Sequence, residues 1–244
     1  MKPPILEALR AGLVVSCQPD ADEPQDDPLN RAEIMAALAQ AAVAGGACAI
    51  RADSPAHVAA IRAAVTVPII GIYKVDLPTY AVRITPTIEH ALQVSQAGAD
   101  ILAVDATARP RPQGGSAAGF IRLVIDATGV PVLADVATFE EGLAAAEAGA
   151  AAVATTLSGY TSYSPRGSGP DFALLEQLAG SLSIPVIAEG RFNTPAQAAQ
   201  AIRRGAWAVT VGSAITRPRT ITQWFVREMR RPQSGKKSSL DKRG

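Results

Sequence analysis

Lysine is almost absent from the body of this 244-residue chain. Of five lysines, Lys2 stands near the start and Lys236, Lys237 and Lys242 near the end, so Lys74 is alone between residues 3 and 235, in a chain that carries 18 arginines. Where positive charge alone is needed, the chain uses arginine. Lysine differs because burial or neighbouring cations can neutralise it near physiological pH, whereas arginine keeps its charge. A chance surface position is the alternative reading of Lys74. Histidine is scarcer still. His57 and His90 are the only two, and both fall inside predicted helices, away from the strand ends. They read as structural or solvent-facing, which argues against histidine general bases, Ser-His-Asp triads and His-rich zinc sites.

Cys17 and Cys48, the only cysteines, sit in apolar strand-like runs. They read as small core residues in a reducing compartment rather than as a disulfide or a metal pair. No segment approaches the roughly 20 consecutive apolar residues of a bilayer span. The N-terminal stretch also lacks an apolar run of signal-peptide length. A cytoplasmic protein without membrane contact is expected. The formal charge is +1, unevenly placed: from Arg227 onward there are 7 basic and 2 acidic residues, against 16 and 20 before it. A basic nucleic-acid platform is therefore not expected in the body, 1–230. Residues 231–244 read as a basic, disordered tail without a functional role.

What the chain does have is alanine, small turns and repetition. Four small-residue turns feed short apolar runs: AGGACAIRA (44–52), AGADILAVDA (97–106), AGAAAVATT (148–156) and RGAWAVTVG (204–212). They alternate with VPIIG (67–71), VPVLA (130–134) and IPVIA (184–188), and LVVSC (13–17) completes eight strands. Amphipathic helical stretches fill the gaps. Asn30 with Glu33, Thr138 with Glu141 and Thr194 with Gln197 have capping-box spacing, and Pro55 and Pro195 suit first helical positions. Apolar runs without strict alternation, separated by helices, point to a parallel sheet. Eight such units in one domain fit a (β/α)8 TIM barrel best. An open doubly wound sheet is the alternative, but no G-x-G-x-x-G turn follows the first strand.

In such a barrel, chemistry gathers where strands end. The first strand delivers Gln18, the second Arg51, the third Lys74, the fourth Asp105, the fifth Asp135 and the seventh Glu189. The eighth runs into Gly212 and Ser213, with Arg217 one turn on. A buried structural pair such as Arg51 with Asp105 would account for two of these, but six different polar strand ends suggest a site. AEGRFNTP (188–195) and VGSAITRP (211–218) each set a glycine between strand and helix, where backbone N–H groups approach an anion closely. Asp105, Asp135 and Glu189 are oxygen ligands in type, but a lysine and an arginine among them would oppose a metal ion, and none is expected. Lys74 is left as the titratable base, with Glu189 as its carboxylic acid partner.

Taken together, PIIGIYKVD (68–76), DATARPRPQG (105–114), ADVATFEEG (134–142), AEGRFNTP and VGSAITRP resemble the N-acylglucosamine-6-phosphate 2-epimerases, also called N-acetylmannosamine-6-phosphate 2-epimerases. The likeness runs from about residue 5 to about residue 230. It implies a cofactor-independent isomerase, usually a homodimer, that interconverts N-acetylmannosamine 6-phosphate and N-acetylglucosamine 6-phosphate in sialic acid catabolism. By the same resemblance Lys74 is the catalytic base and Glu189 assists ring opening or acts as general acid. Gln18, Arg51, Asp135 and Arg217 contact the substrate, while Gly190, Gly212 and Ser213 hold the phosphate. The strand-end reading adds Asp105 to the substrate-binding set. Val75, Ala108 and Gln113 depart from the family's usual flanks. Two other readings stay open: a Schiff-base aldolase or lyase using Lys74 as nucleophile, and a non-catalytic phosphosugar-binding protein. The Trp224-Phe225 pair is open too, either in an interface or packed on the barrel.

Overall fold

The computed structural model describes residues 3–19 and 27–231. The expectation of a disordered tail falls almost wholly outside them. A short helix α1 (Pro4–Glu7) leads into β1 (Gly12–Cys17), α2 (Ala32–Ala44), β2 (Ala49–Asp53), α3 (Pro55–Ala64), β3 (Ile69–Ile72) and α4 (Ile88–Gln96). The alternation continues with β4 (Ile101–Asp105), α5 (Ala117–Thr128), β5 (Val132–Asp135), α6 (Phe139–Glu147), β6 (Ala152–Ala154) and α7 (Phe172–Ser181). It ends with β7 (Val186–Glu189), α8 (Pro195–Arg203), β8 (Ala208–Val211), α9 (Ser213–Thr216) and α10 (Pro218–Met229). All eight strands are parallel and β1 pairs with β8, so the sheet closes into a single-domain (β/α)8 barrel. Among the described residues no helix is long and apolar enough to cross a membrane.

Both sequence repeats have a physical cause. The small-residue turns end α2, α4, α6 and α8. Gly46, Gly98, Gly149 and Gly205 take φ between +95° and +102°, a conformation open to glycine. The next residue then donates its N–H five residues back: Ala47 to Ala42, Ala99 to Val94, Ala150 to Ala145 and Ala206 to Ala201. This is the Schellman termination, which satisfies carbonyls a helix end would otherwise leave open. The other repeat places Pro68, Pro131 and Pro185 just before β3, β5 and β7. Each lends only its carbonyl to the ladder, accepting from Ile50, Leu102 and Val153 at 2.9–3.0 Å. A proline is tolerated there because no N–H is asked of it.

Two of the three expected capping boxes form. Thr138 with Glu141 and Thr194 with Gln197 cap α6 and α8 reciprocally. Asn30 with Glu33 does not. Residues 27–30 close a turn of their own, with the Asn30 N–H on the Asp27 carbonyl at 2.9 Å. Arg31, extended at φ −140°, becomes the N-cap, so Glu33 falls one position short of a reciprocal bond and pairs with Arg31 instead.

Two layers of core result. Val15, Ile50, Ile69, Leu102, Val132, Val153, Ala188 and Val209 face outward against the helices. Val14, Ala49, Ile70, Ile101, Leu133, Ala152, Ile187 and Ala208 fill the barrel, and Leu6 and Leu9 pack with them from the N-terminal segment. Because strand side chains alternate with period 2, Gln18, Arg51, Asp53, Lys74, Asp105, Asp135, Thr156, Glu189 and Thr210 share the parity of the interior set. They form its polar upper layer.

Candidate active site

A cavity of about 490 Å³ opens at the C-terminal ends of the strands, within the usual range for small-molecule sites. Its lining includes Gln18, Arg51, Lys74, Asp105, Glu189, Gly190, Gly212, Ser213 and Arg217, so nine of the ten residues expected from the sequence meet there.

Lys74 lies two residues beyond β3, in a hairpin that folds back toward the barrel. Lys74 bridges Ile84 in antiparallel fashion, Val75 N–H donates to the Arg83 carbonyl, and Thr85 N–H donates to that of Tyr73. Lys74 Nζ donates to Gln18 Oε1 at 2.6 Å, and Gln18 Nε2 donates to Ser16 Oγ at 2.8 Å. Burial lowers the lysine below its ordinary range. The Asp53 carboxylate opposes this most strongly, while Arg217 and Arg51 add to it and Glu189 opposes it more weakly.

Arg51 stands inside the barrel with 1% of its side chain exposed, against 0% for Asp135 and 14% for Glu189. It donates to Asp135 Oδ1 at 3.1 Å and Oδ2 at 2.5 Å, and to Glu189 Oε2 at 3.0 Å. Burial alone would lower the guanidinium. The carboxylates of Asp135 and Glu189 outweigh it, and Arg51 stays charged. Glu189 is raised above the usual carboxylate range, first by burial and then by Asp135, with Arg51 as the largest opposing influence.

Two expected substrate contacts have other partners. Asp135 does not line the cavity. It sits behind Arg51, and Thr156 Oγ1 also donates to its Oδ1 at 2.5 Å. Asp105 borders the cavity, but it is not the partner of Arg51. Its oxygens accept Thr107 N–H at 3.0 Å, Thr107 Oγ1 at 2.6 Å and Arg109 Nη2 at 2.5 Å, which shapes the turn after β4. Asp135 is thus engaged by Arg51 and Thr156, and Asp105 by Thr107 and Arg109.

The expected phosphate side is built from two turns. Gly190 and Arg191 have φ of +106° and +58° after β7, and Gly212 precedes the four-residue α9 that Ser213 begins. Arg217 Nη1 donates to Ser213 Oγ at 3.3 Å. Arg191 is a residue the sequence reading passed over, although it stands inside AEGRFNTP. Its guanidinium donates to the carbonyls of Gly169 (2.7 Å) and Ser158 (2.6 Å), tying the loop after β6 to the turn after β7. Arg83, Arg109, Tyr160 and Trp224 also reach the cavity. Trp224 therefore separates from its neighbour Phe225, which is 67% exposed. The departures at Val75 and Ala108 matter little locally, since both act there through backbone N–H groups. His57 and His90 do not line the cavity. Among the described residues no group of three or more His, Cys, Asp and Glu is placed to hold a metal ion.

The cavity walls carry six cationic side chains (Arg51, Lys74, Arg83, Arg109, Arg191, Arg217) against two acidic ones (Asp105, Glu189). That balance suits a small multivalent anion. Comparison with known proteins agrees in kind. Residues 35–231 match a family model described as "Putative N-acetylmannosamine-6-phosphate epimerase". A protein of Caldanaerobacter subterraneus subsp. tengcongensis named "Putative N-acetylmannosamine-6-phosphate 2-epimerase" is 45% identical over 227 residues, covering 93% of this chain and 94% of the relative. One of the same name from Escherichia coli O1:K1 is 50% identical over 224 residues, covering 92% and 94%. The solved N-acetylmannosamine-6-phosphate 2-epimerase of Clostridium perfringens superposes with a TM-score of 0.87 at 39% identity, over 93% of this chain and 96% of that one. With these matches over nearly its whole described length, the chain belongs to the N-acetylmannosamine-6-phosphate 2-epimerase family.

Proposed function

We propose that the protein interconverts N-acetylmannosamine 6-phosphate and N-acetylglucosamine 6-phosphate, with Lys74 as the base and Glu189 as the proton carrier for ring opening. The observation that carries this assignment of roles is the pairing of a lowered lysine with a raised carboxyl in one cationic cavity. Names of the relatives favour the epimerase over the aldolase and binding-protein readings.

The C2 proton becomes acidic only when C1 is a free aldehyde. Glu189 relays a proton between the ring oxygen and O1 to open and close the sugar. Neutral Lys74 then takes the C2 proton and becomes the ammonium, and the electron pair moves into an enolate with its charge on the C1 oxygen. Arg51, fixed and always charged, stabilises that charge without having to reorganise. A proton returned to the opposite face of C2 gives the epimer. Lys74 serves both transfers if the enolate turns about its C2–C3 single bond, and Glu189 serves the second if it does not. Backbone N–H groups at Gly190 and Gly212, with Ser213 and Arg217, hold the phosphate. Gln18 keeps the Lys74 amine aimed into the cavity.

The enzyme acts in the cytoplasm as a homodimer. Of the expected 1–230 unit, residues 3–19 and 27–230 form the barrel, and the expected tail lies outside the described residues apart from Arg231. Support for the dimer comes from α10, which buries no residue within the chain and presents Phe225 and Met229 at 67% and 83% exposure.

Proton NMR in D₂O with N-acetylmannosamine 6-phosphate and no added metal or cofactor tests the reaction. Loss of the C2 proton signal as the gluco epimer grows in is expected. Sugar phosphate that binds with neither exchange nor epimer would overturn the reading.

A further inference from the structure

Lys74 has a charged neighbour that takes no part in the steps above. Asp53 ends β2, beside Ile72 of β3 in the parallel register. Its Oδ1 accepts the Lys74 backbone N–H at 2.8 Å. The residue is buried and does not line the cavity, so it is not placed to hold the sugar. An uncharged acceptor would serve that hydrogen bond equally well. A buried carboxylate there is costly unless its charge has a use.

The charges around Lys74 suggest the use. Arg51 on β2 and Arg217 before α10 both disfavour its ammonium, and burial does so more than either. Asp53 and Glu189 favour it, but Glu189 already accepts from Arg51 at 3.0 Å. Facing Asp53 in turn are Lys74, His57 of α3 and Arg51. His57 is buried, its Nδ1 has no hydrogen-bond partner, and burial lowers its proton affinity. Left to burial and the two arginines, Lys74 would lose its proton easily and be a poor base. A base works best when its proton affinity matches the operating pH.

We propose that Asp53 is a positioning residue for Lys74: its carboxylate fixes the lysine backbone and supplies the counter-charge for the ammonium formed when the C2 proton is taken. This rests on the reading of Lys74 as the base.

Asp53→Asn keeps the acceptor and removes the charge. With ¹³Cε-lysine labelling the full chain contains five lysines, and the Lys74 resonance is the one missing from Lys74→Arg. The Lys74 midpoint is expected to fall by about one pH unit in Asp53→Asn and to return in Asp53→Glu. The limb of the kcat/KM profile set by Lys74 should move down with it, while kcat falls more than KM changes. An unchanged Lys74 midpoint in Asp53→Asn overturns the proposal. Asp53→Ser gives the same reading should the Asn variant fail to fold. The titration needs no turnover, so a protein without epimerase activity would defeat the proposed reaction while leaving the Asp53 question to be decided by NMR.

Discussion

At the scale of single residues, an amine can remove a carbon-bound proton only while it is neutral, and burial is what makes that state accessible to Lys74. The proposed chemistry therefore needs a neutral Lys74, whose share grows as pH rises through the lysine's lowered value. It also needs a protonated Glu189, which burial favours and rising pH removes, so a bell-shaped kcat/KM profile is expected. Lys74→Arg keeps the charge and removes the base. Deuterium exchange at C2 should drop about 10²–10⁴-fold, with the circular dichroism of the folded barrel retained. Normal turnover in this variant would take Lys74 out of the mechanism. The polar strand ends were legible because the inward parity of each strand can be counted from its apolar residues. The partners of those side chains were not. Asp135 and Asp105 look alike in sequence, yet one is committed to Arg51 and the other to Thr107 and Arg109.

Between residue and fold, helix starts show how local rules succeed or fail. Glu141 does more than close a capping box. Its Oε2 accepts the N–H groups of Ala137 and Thr138, while Oε1 accepts Ala108 N–H at 2.8 Å and the Tyr163 hydroxyl at 2.6 Å. It thus joins the start of α6 to the loops after β4 and β6. Glu33 makes only an exposed ion pair with Arg31. Glu141→Ala should cost about 2–3 kcal/mol, because one buried and three part-buried donors lose their acceptor at once, and Glu33→Ala should leave the midpoint nearly unchanged. Urea unfolding of the two variants checks the contrast, and equal midpoints would refute it. Both glutamates have the same spacing from a capping residue. The turn at 27–30, which sets where α2 can begin, distinguished them.

Across the whole molecule, Arg51 joins β2 to β5 and β7, strands that are not its neighbours in the sheet. One side chain thus holds the geometry of the cavity and is the largest influence opposing the rise of the Glu189 carboxyl. The outer surface makes a second prediction. The proposed dimer would cover the exposed Phe225 and Met229 of α10, so sedimentation velocity should find a species of twice the chain mass. Phe225→Asp combined with Met229→Asp should shift it to the monomer, and a chain ending at residue 230 should still dimerise. A monomeric parent protein would reject the dimer.

The sequence by itself determined the barrel. Helix-ending glycines, strand-leading prolines and inward parity are local properties, written in neighbouring residues and repeated along the chain. It also brought the polar strand ends to one mouth, since closure places every strand's last inward residue in the same layer. Only the tertiary structure decided which carboxylate faces which cation, that Arg191 ties two loops together, and that Asp53 lies against the backbone of Lys74. The pairings of Arg51, Arg191 and Asp53 join residues 21 to 138 positions apart. Such contacts depend on strand stagger and loop path, to which a one-dimensional spacing is blind.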